Sequence, residues 1–167
     1  MKNYLSMDVG GSKYIIGLID REGKLLGERR GAWENLTKEK VLSTVLGEAR
    51  TLLGETGVNP TACGITVPGL ADRKKGIWVE SQLQGIRDFH VCEEVGGALG
   101  IPAYCDNDGQ AFSLAEMVFG ACRDVRNFLY VNISTGIGGS IVADGRLIYG
   151  ATGCACEIGR ASCRERV

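Results

Sequence analysis

Residues 4–20 read YLSMDVGGSKYIIGLID. One apolar run ends at residue 9, the turn Gly10-Gly11 follows, and a second apolar run starts at residue 14. Two strand-like runs joined by a glycine turn predict a β-hairpin. Residues 24–29 continue the pattern as a third strand, so the chain is expected to begin with an antiparallel meander.

Helices and strands alternate after this meander. Thr37 is expected to cap a helix that Gly57 ends. A strand at 63–67, a helix at 91–99, a strand at 103–105 and a helix at 109–119 are predicted next, whereas 70–88 are expected to be loop-rich with a short strand at 77–79. A second strand, glycine turn and strand begin at residue 128. This order predicts an α/β fold with two related lobes, over 1–120 and 121–159.

Composition excludes several classes of protein. The chain has 167 residues, 44% hydrophobic and 23% charged, which is typical of a globular protein. Lys and Arg number 19 against 20 Asp and Glu, so no positive excess is present to bind nucleic acid. No run of 18 apolar residues indicates a membrane span, and no signal segment is evident, which predicts a cytoplasmic protein. Seven scattered cysteines are expected to be reduced thiols.

Two glycine-rich turns are candidate phosphate sites, because glycine lets backbone N–H groups approach a phosphate closely. Both are also compatible with ordinary hairpin turns, but two in one chain reinforce each other, since a nucleotide clamped between lobes needs one from each. Asp8 can hold Mg²⁺, most simply through water. The candidate residues are Asp8, Gly10, Gly11, Ser12 and Lys13 in the first turn, and Ser134, Thr135, Gly136, Gly138 and Gly139 in the second.

Asn107 and Asp108 follow a predicted strand at its C-terminal end, where α/β folds bind ligands. A carboxylate there can accept a hydroxyl proton, and the amide can bind a sugar hydroxyl. The alternative is an Asx turn that caps the following helix. Trp33 and Trp78 are compatible with the core or with a sugar-stacking surface.

Five motifs together resemble the ROK family of repressors, open reading frames and sugar kinases. They occur in the family's order and span residues 4–159: Asp8-x-Gly-Gly, Val67-Pro68-Gly69, Asn107-Asp108, the segment 134–139, and Gly150-x-x-Gly153-x-Ala155-x-Glu157-Ile158-Gly159. The resemblance implies an α/β, actin/hexokinase-like (ribonuclease H-like) ATPase fold. It further implies that the N-terminal lobe is complete or nearly so and that the second lobe is truncated.

The resemblance also implies a reaction, the transfer of the γ-phosphate of ATP to a hexose hydroxyl, with glucose as the default sugar. Asp108 would be the general base, and Asn107, Glu157 and Gln82 would bind the sugar. ATP and Mg²⁺ are the implied cofactors. Zinc is not expected in this fragment, because Arg160 stands where the family has a histidine. The resemblance is also compatible with a homo-oligomer of the full-length protein.

Two other functions remain open within this fold. A sugar-sensing effector domain of a ROK-type repressor would need a helix-turn-helix domain before the first strand, which starts here at Tyr4. Another actin-fold ATPase, such as an acyl-CoA dehydratase activator, would lack the sugar-binding pair.

The chain's end carries two further expectations. Residues 160–167 are predicted to be a non-native tail, because they depart from the family and back-translate to a sequence like a library adapter. The fragment is expected to be inactive and poorly soluble, with the apolar residues of the second lobe exposed: Phe128, Leu129, Val131, Ile133, Ile141, Val142, Leu147 and Ile148.

Overall fold

The structure, a computed structural model, describes residues 2–33, 37–81, 85–133, 137–153 and 155–156. The chain forms two compact units that divide between Asp106 and Asn107. The predicted lobes 1–120 and 121–159 stay predictions. The first unit contains β1 (Asn3–Val9), β2 (Lys13–Asp20), β3 (Leu25–Ala32), α1 (Lys38–Thr56), β4 (Ala62–Val67), β5 (Leu70–Asp72), β6 (Ile77–Ser81), β7 (Ile86–Phe89), α2 (Val91–Leu99) and most of β8 (Ala103–Asn107).

A five-stranded sheet with the order β3-β2-β1-β4-β8 organises the first unit. The meander β1-β2-β3 is antiparallel as predicted, and β4 runs parallel to β1. Alternate strand residues are buried in the same core as one face of α1, because a half-buried strand points every second side chain inward. The core members from β1, β4 and α1 are Leu5, Met7, Val9, Cys63, Ile65, Val67, Val41, Val45, Leu46, Ala49 and Leu52.

Helix α1 begins and ends as its sequence predicts. The Thr37 hydroxyl accepts a hydrogen bond from the Lys40 amide at 3.2 Å, and Gly57 closes the helix in the left-handed conformation. An ionic network ties α1 to the meander. Glu48 pairs with Arg29 and accepts a hydrogen bond from the Tyr14 hydroxyl at 3.1 Å.

Residues 70–88 were expected to be mostly loop with one short strand at 77–79, but the structure has three strands between residues 70 and 89. Strands β5, β6 and β7 form a separate three-stranded antiparallel sheet here. Trp78 is fully buried at its centre, donates its indole N–H to the Pro68 carbonyl at 2.9 Å and stacks on Phe89. Strands of three to five residues are too short to show an alternation that a sequence reading can detect.

The second unit packs one helix on a three-stranded sheet. It contains α3 (Asp108–Val118), β9 (Phe128–Ile133), β10 (Ile137–Ala143) and β11 (Arg146–Ile148), with the sheet order β11-β10-β9. Helix α3 contacts all three strands, and Phe112 packs against Tyr130 with ring centroids 6.1 Å apart. The opposite face is bare and apolar, and the exposed side chains on it are Leu129, Val131, Ile133, Ile137, Ile141 and Ile148.

Of the eight apolar residues of the second lobe that were expected to be exposed, only five are exposed in the structure. Val142 is 2% exposed, and Phe128 and Leu147 are half-buried. Val142 shares its face of β10 with Ser140, whose side chain contacts α3. In the part of the chain that the structure describes, no helix has the length and apolar character needed to cross a membrane.

Candidate active site

The carboxylate of Asp8 lies near the end of β1 and is fixed by a neighbouring strand. The Thr66 hydroxyl donates to Asp8 Oδ1 at 2.5 Å. The two residues are directly paired in the parallel register of β1 and β4. The hydrogen bond holds one carboxylate oxygen in place. Thr66 was not predicted as a site residue, although a hydroxyl near the end of the predicted strand at 63–67 was the available signal.

The turn between β1 and β2 is closed on itself and braced from β3. Within the turn, the Gly10 amide donates to the Lys13 carbonyl at 2.9 Å. The indole N–H of Trp33 donates to the Gly10 carbonyl at 3.1 Å, and the Trp33 amide donates to the Ser12 carbonyl at 3.2 Å. Trp33 is 6% exposed and packs on Tyr14, so it belongs to the core and not to a sugar-stacking surface. Both tryptophans are thus core residues.

Asn107 and Asp108 begin helix α3. Asn107 Oδ1 and Asp108 Oδ1 each accept a hydrogen bond from the Gly109 amide at 2.8 Å. Asn107 is the N-cap of the helix, so the Asx-turn alternative describes its local geometry correctly. Asp108 occupies the first helical position, where the helix dipole favours a negative charge. This cap fixes the backbone of both residues and is compatible with a chemical role for the Asp108 carboxylate.

The second unit brings Asn107 and Asp108 together with part of the second glycine turn. A Cβ atom on Gly109 would lie 2.9 Å from the Gly139 carbonyl oxygen. The Ser140 hydroxyl donates to the Gly109 carbonyl at 3.1 Å and also hydrogen-bonds the Ser113 hydroxyl. Both serines are fully buried. Backbone contact and two hydroxyl bonds therefore hold the start of α3 against β10.

Gln110 connects this helix to the segment after β11. The side chain is 2% exposed, and its Nε2 donates to the Ala155 carbonyl at 3.4 Å. Among the described residues, nothing hydrogen-bonds its buried Oε1. Gln110 was not among the site residues predicted from the sequence. The contact joins the first turn of α3 to residue 155, two positions before Glu157 in the sequence.

Several predicted site residues lie outside the described residues. These are Gln82, Ser134, Thr135, Gly136 and Glu157, together with the predicted tail 160–167. The remaining predicted residues form two groups: Asp8 to Lys13 in the first unit, and Asn107, Asp108, Gly138 and Gly139 in the second.

The donor set near Asp8 fits a magnesium ion bound with nucleotide. Mg²⁺ in phosphate-transfer sites takes one or two carboxylates, waters and substrate phosphates in place of an all-protein cage. One hard carboxylate held by Thr66 meets that requirement. Within the described ranges, no group of three or more His, Cys, Asp or Glu side chains could hold a metal ion by itself.

Comparison with known proteins gives a consistent result. The profile of the ROK family matches residues 4–165. A glucokinase of Thermotoga maritima is 32% identical over 160 residues, covering 93% of this chain and 49% of the glucokinase. A putative xylose repressor of Caldicellulosiruptor sp. is 31% identical over 159 residues, covering 93% of this chain and 40% of the repressor.

A solved structure shows the same fold. The ROK family glucokinase of Streptomyces griseus, in complex with glucose and AMPPNP, superposes with a TM-score of 0.85 at 26% identity, over 93% of this chain and 49% of that one. The expected α/β, actin/hexokinase-like fold is thereby confirmed. The chain spans about half the length of the glucokinases it matches.

Proposed function

The chain belongs to the ROK family, and on that premise we propose that the full-length protein is an ATP-dependent sugar kinase that phosphorylates a hexose hydroxyl. Phosphoryl transfer depends on positioning and charge neutralisation more than on covalent chemistry with the protein. Two glycine turns, one magnesium-binding carboxylate and one general base suit that requirement. We assign glucose as the default sugar because glucokinases are among the relatives.

In this proposal each group of residues has one task. Asp108 accepts the proton of the sugar hydroxyl as it attacks the phosphorus, and Asn107 and Glu157 bind sugar hydroxyls. Gly10 to Lys13 and Gly136 to Gly139 face the phosphates, and Gln82 contacts the sugar. Asp8 holds Mg²⁺ through water, and the ion neutralises charge on the phosphates. The protein is proposed to work in the cytoplasm.

The observation that carries the proposal is the backbone contact between Gly109 and Gly139. A kinase must hold the proton-accepting carboxylate near the phosphate it transfers. The contact fixes Asp108 at the start of α3 beside the strand that carries Gly138 and Gly139. Buried hydroxyls at Ser113 and Ser140 reinforce the contact.

A sugar-sensing repressor is the second candidate, because ROK repressors are also among the relatives. A sensor needs the sugar-binding residues but no phosphoryl transfer. The Asn107 cap and the fold are compatible with both functions, whereas a general base at Asp108 has a purpose only in a kinase.

A sugar panel on the full-length protein tests the proposal. ADP release with ATP and Mg²⁺ should depend on one hexose, and that hexose should bind in the absence of nucleotide. Saturable sugar binding without any ADP release would favour the sensor. ADP release without sugar dependence would indicate a different actin-fold ATPase.

A further inference from the structure

The side chain of Gln110 lies in the first turn of helix α3, three residues after the N-cap Asn107. A glutamine at this position commonly turns back and accepts a hydrogen bond from the backbone N–H of the N-cap, in the arrangement called a capping box. Among the described residues, nothing donates a hydrogen bond to Gln110 Oε1, although the side chain is only 2% exposed. The buried amide group is therefore not used to cap α3.

The amide group of Gln110 instead bonds to the segment that follows β11. Its Nε2 donates to the Ala155 carbonyl at 3.4 Å. This partner fixes the orientation of the amide, because the opposite orientation would place two carbonyl oxygens against each other. The backbone N–H of Ala155 in turn donates to the Tyr149 carbonyl at 3.2 Å. Residue 155 is thus held through both of its backbone polar groups.

The segment from residue 149 to residue 156 has an unusual backbone. Gly150 and Gly153 adopt left-handed conformations, with φ of 71° and 80°. Cys156 also has a positive φ, of 69°, which is uncommon for a residue with a Cβ atom. Such a conformation costs free energy and persists only where neighbouring contacts hold it. The hydrogen bond from Gln110 to Ala155 is one such contact, directly before Cys156.

The buried amide of Gln110 contributes little to the stability of the fold. Its Nε2 gains one hydrogen bond to a neutral carbonyl, but its Oε1 is removed from water without a replacement partner among the described residues. A buried acceptor without a partner costs at least as much free energy as one such hydrogen bond contributes. An apolar side chain of the same length would avoid that cost. The amide at this position therefore indicates a role other than stability.

We propose that Gln110 is a positioning residue for sugar binding. It holds residue 155 against the start of α3, and through this contact it sets the distance between Glu157 and Asn107. This role rests on the proposed function, which assigns both of these residues to the sugar. Gln110 itself does not touch the sugar, because its side chain is buried between α3 and residue 155.

Sugar binding and proton transfer should respond differently to the loss of this hydrogen bond. Asp108 is held by the close approach of α3 to β10 at Gly109, in which the Gln110 side chain takes no part. Proton transfer at saturating sugar should therefore be retained, whereas sugar binding should weaken. A substitution that raises KM and leaves kcat unchanged has removed binding that the ground state and the transition state share equally.

Gln110→Met in the full-length protein tests this role, because methionine keeps the length of the side chain but cannot donate this hydrogen bond. The KM for the sugar and its Kd in the absence of nucleotide should both rise about tenfold, the effect of roughly one lost hydrogen bond. The kcat and the KM for ATP should stay within about twofold of the wild-type values. The free energy of unfolding should change little, because the substitution also removes the buried Oε1.

Phe112→Leu is the matched control on the same helix. The Phe112 ring packs on Tyr130 of β9, so its truncation should lower the free energy of unfolding and leave the KM for the sugar unchanged. An equal rise of KM in both variants would mean that general loosening of α3 causes the effect, and the positioning role would be wrong. Gln110→Asn is the second test variant, because it keeps an amide but withdraws it from residue 155 by one methylene. It should give the same split between KM and kcat even if Gln110→Met does not fold.

Hydrogen exchange measures the contact itself, independently of any sugar. In Gln110→Met, the backbone amides of residues 149–156 should exchange about tenfold faster than in the wild type, while those of β10 should not change. Unchanged exchange over 149–156 would show that the hydrogen bond does not hold this segment, and it would overturn the proposal.

The kinetic outcomes separate failure of this role from failure of the proposed function. ADP release with a sugar KM that Gln110→Met does not change would overturn the positioning role and leave the kinase function in place. Sugar binding without ADP release, weakened by the substitution, would reject the kinase function and support the positioning role. A wild-type protein that binds no sugar would overturn both.

Discussion

A Cβ atom on Gly109 would lie 2.9 Å from the carbonyl oxygen of Gly139, so helix α3 and strand β10 meet backbone to backbone. A Cβ on Gly139 would in turn overlap the Tyr130 carbonyl of the neighbouring strand. An alanine at position 109 would therefore require a shift of the helix or the strand in this chain. The glycines therefore position Asp108 relative to β10.

Alanine at either glycine should destabilise the second unit. Overpacking typically lowers the free energy of unfolding by about 1–3 kcal/mol. At position 109 the better helix propensity of alanine offsets only about 1 kcal/mol of this loss. Gly139→Ala should have the larger effect, because its Cβ would overlap the Tyr130 carbonyl oxygen more severely than a Cβ at position 109 would meet the Gly139 carbonyl oxygen. Urea unfolding of the purified variants measures the loss.

Gly138→Ala is the control for both variants. A Cβ atom on Gly138 meets nothing within 4 Å, so its free energy of unfolding should stay close to that of the wild type. Equal destabilisation by all three substitutions would mean that the close approach of α3 and β10 does not set the cost.

Gly138→Val in the full-length protein tests the second phosphate turn. Because the space around Gly138 is open, the fold should tolerate valine, but the side chain would stand between a phosphate and the backbone amides. The Kd for ATP should rise about tenfold, the effect of roughly one lost charge-assisted hydrogen bond. Isothermal titration with ATP and with sugar separates the two affinities.

The sugar affinity should change little, since the sugar pocket is assigned to Asn107 and Glu157. Equal loss of ATP and sugar affinity, with unchanged circular dichroism, would contradict the assignment of the turn to phosphate.

The Glu48 network predicts an acid-sensitive contribution to stability. The hydrogen bond from Arg29 lowers the pKa of Glu48 below its ordinary value of 4.5. A carboxyl whose pKa is lower in the folded state stabilises the fold above its unfolded pKa, and this contribution is lost as the pH falls through the folded pKa. Glu48→Gln should therefore be less stable than the wild type at pH 7, and the difference should shrink below pH 4.5.

Urea titrations of both proteins across this range provide the measurement. The pair is partly exposed, at 33% for Arg29 and 26% for Glu48, so the effect should be small and should decrease with added salt. A difference that is constant from neutral to acidic pH would exclude the ionised Glu48 as its source.

The bare sheet face of the second unit should limit the solubility of the chain. Leu129 and Ile141 are cross-strand partners on this face, 62% and 39% exposed. Replacing both with threonine should raise the soluble fraction, because it breaks a continuous apolar patch while keeping β propensity. Size-exclusion chromatography of the lysate's soluble fraction compares the yields.

Val142→Thr is the counterpart on the face that α3 covers. Val142 is 2% exposed, so the substitution would bury a hydroxyl. It should therefore lower the free energy of unfolding and should not improve solubility. If Val142→Thr increases the soluble yield as much as the double variant, surface exposure does not explain the aggregation.

Local signals predicted the parts of the fold that local interactions determine. The meander around Gly10, the Thr37 cap and the stop at Gly57 all depend on residues a few positions apart, and the structure confirms them. The sheet around Trp78 was missed, because its three short strands are stabilised by a buried indole and pairing, not by an alternation along the chain.

The candidate site divides in the same way. Asn107 and Asp108 could be found because they lie between a predicted strand at 103–105 and a predicted helix that starts at 109. The Thr66 bond to Asp8 spans 58 residues of sequence and follows only from the register of β1 and β4. The Gly109–Gly139 approach is equally non-local, and a glycine reveals no partner from sequence alone.

Asp108→Asn in the full-length protein is the most discriminating prediction. If Asp108 is the general base, the asparagine side chain keeps the size of aspartate and can still accept the hydrogen bond from the Gly109 backbone N–H. It cannot take the proton of the sugar hydroxyl. General-base catalysis contributes roughly 10²–10⁴-fold, so kcat should fall by about that factor. If Asp108 serves only the helix start, asparagine caps as well as aspartate, and kcat should stay near the wild-type value.

Sugar affinity and stability are the controls for this variant. Both should change little, because the Asn107 cap and the Gly109 contact remain. Asn107→Ala should show the reverse pattern, with weaker sugar binding and a less stable α3, because it removes both the amide and the cap. Retention of more than about a tenth of the wild-type kcat by Asp108→Asn lies outside the range expected for a lost base. That result would assign Asp108 a structural role and would require a different group to accept the hydroxyl proton.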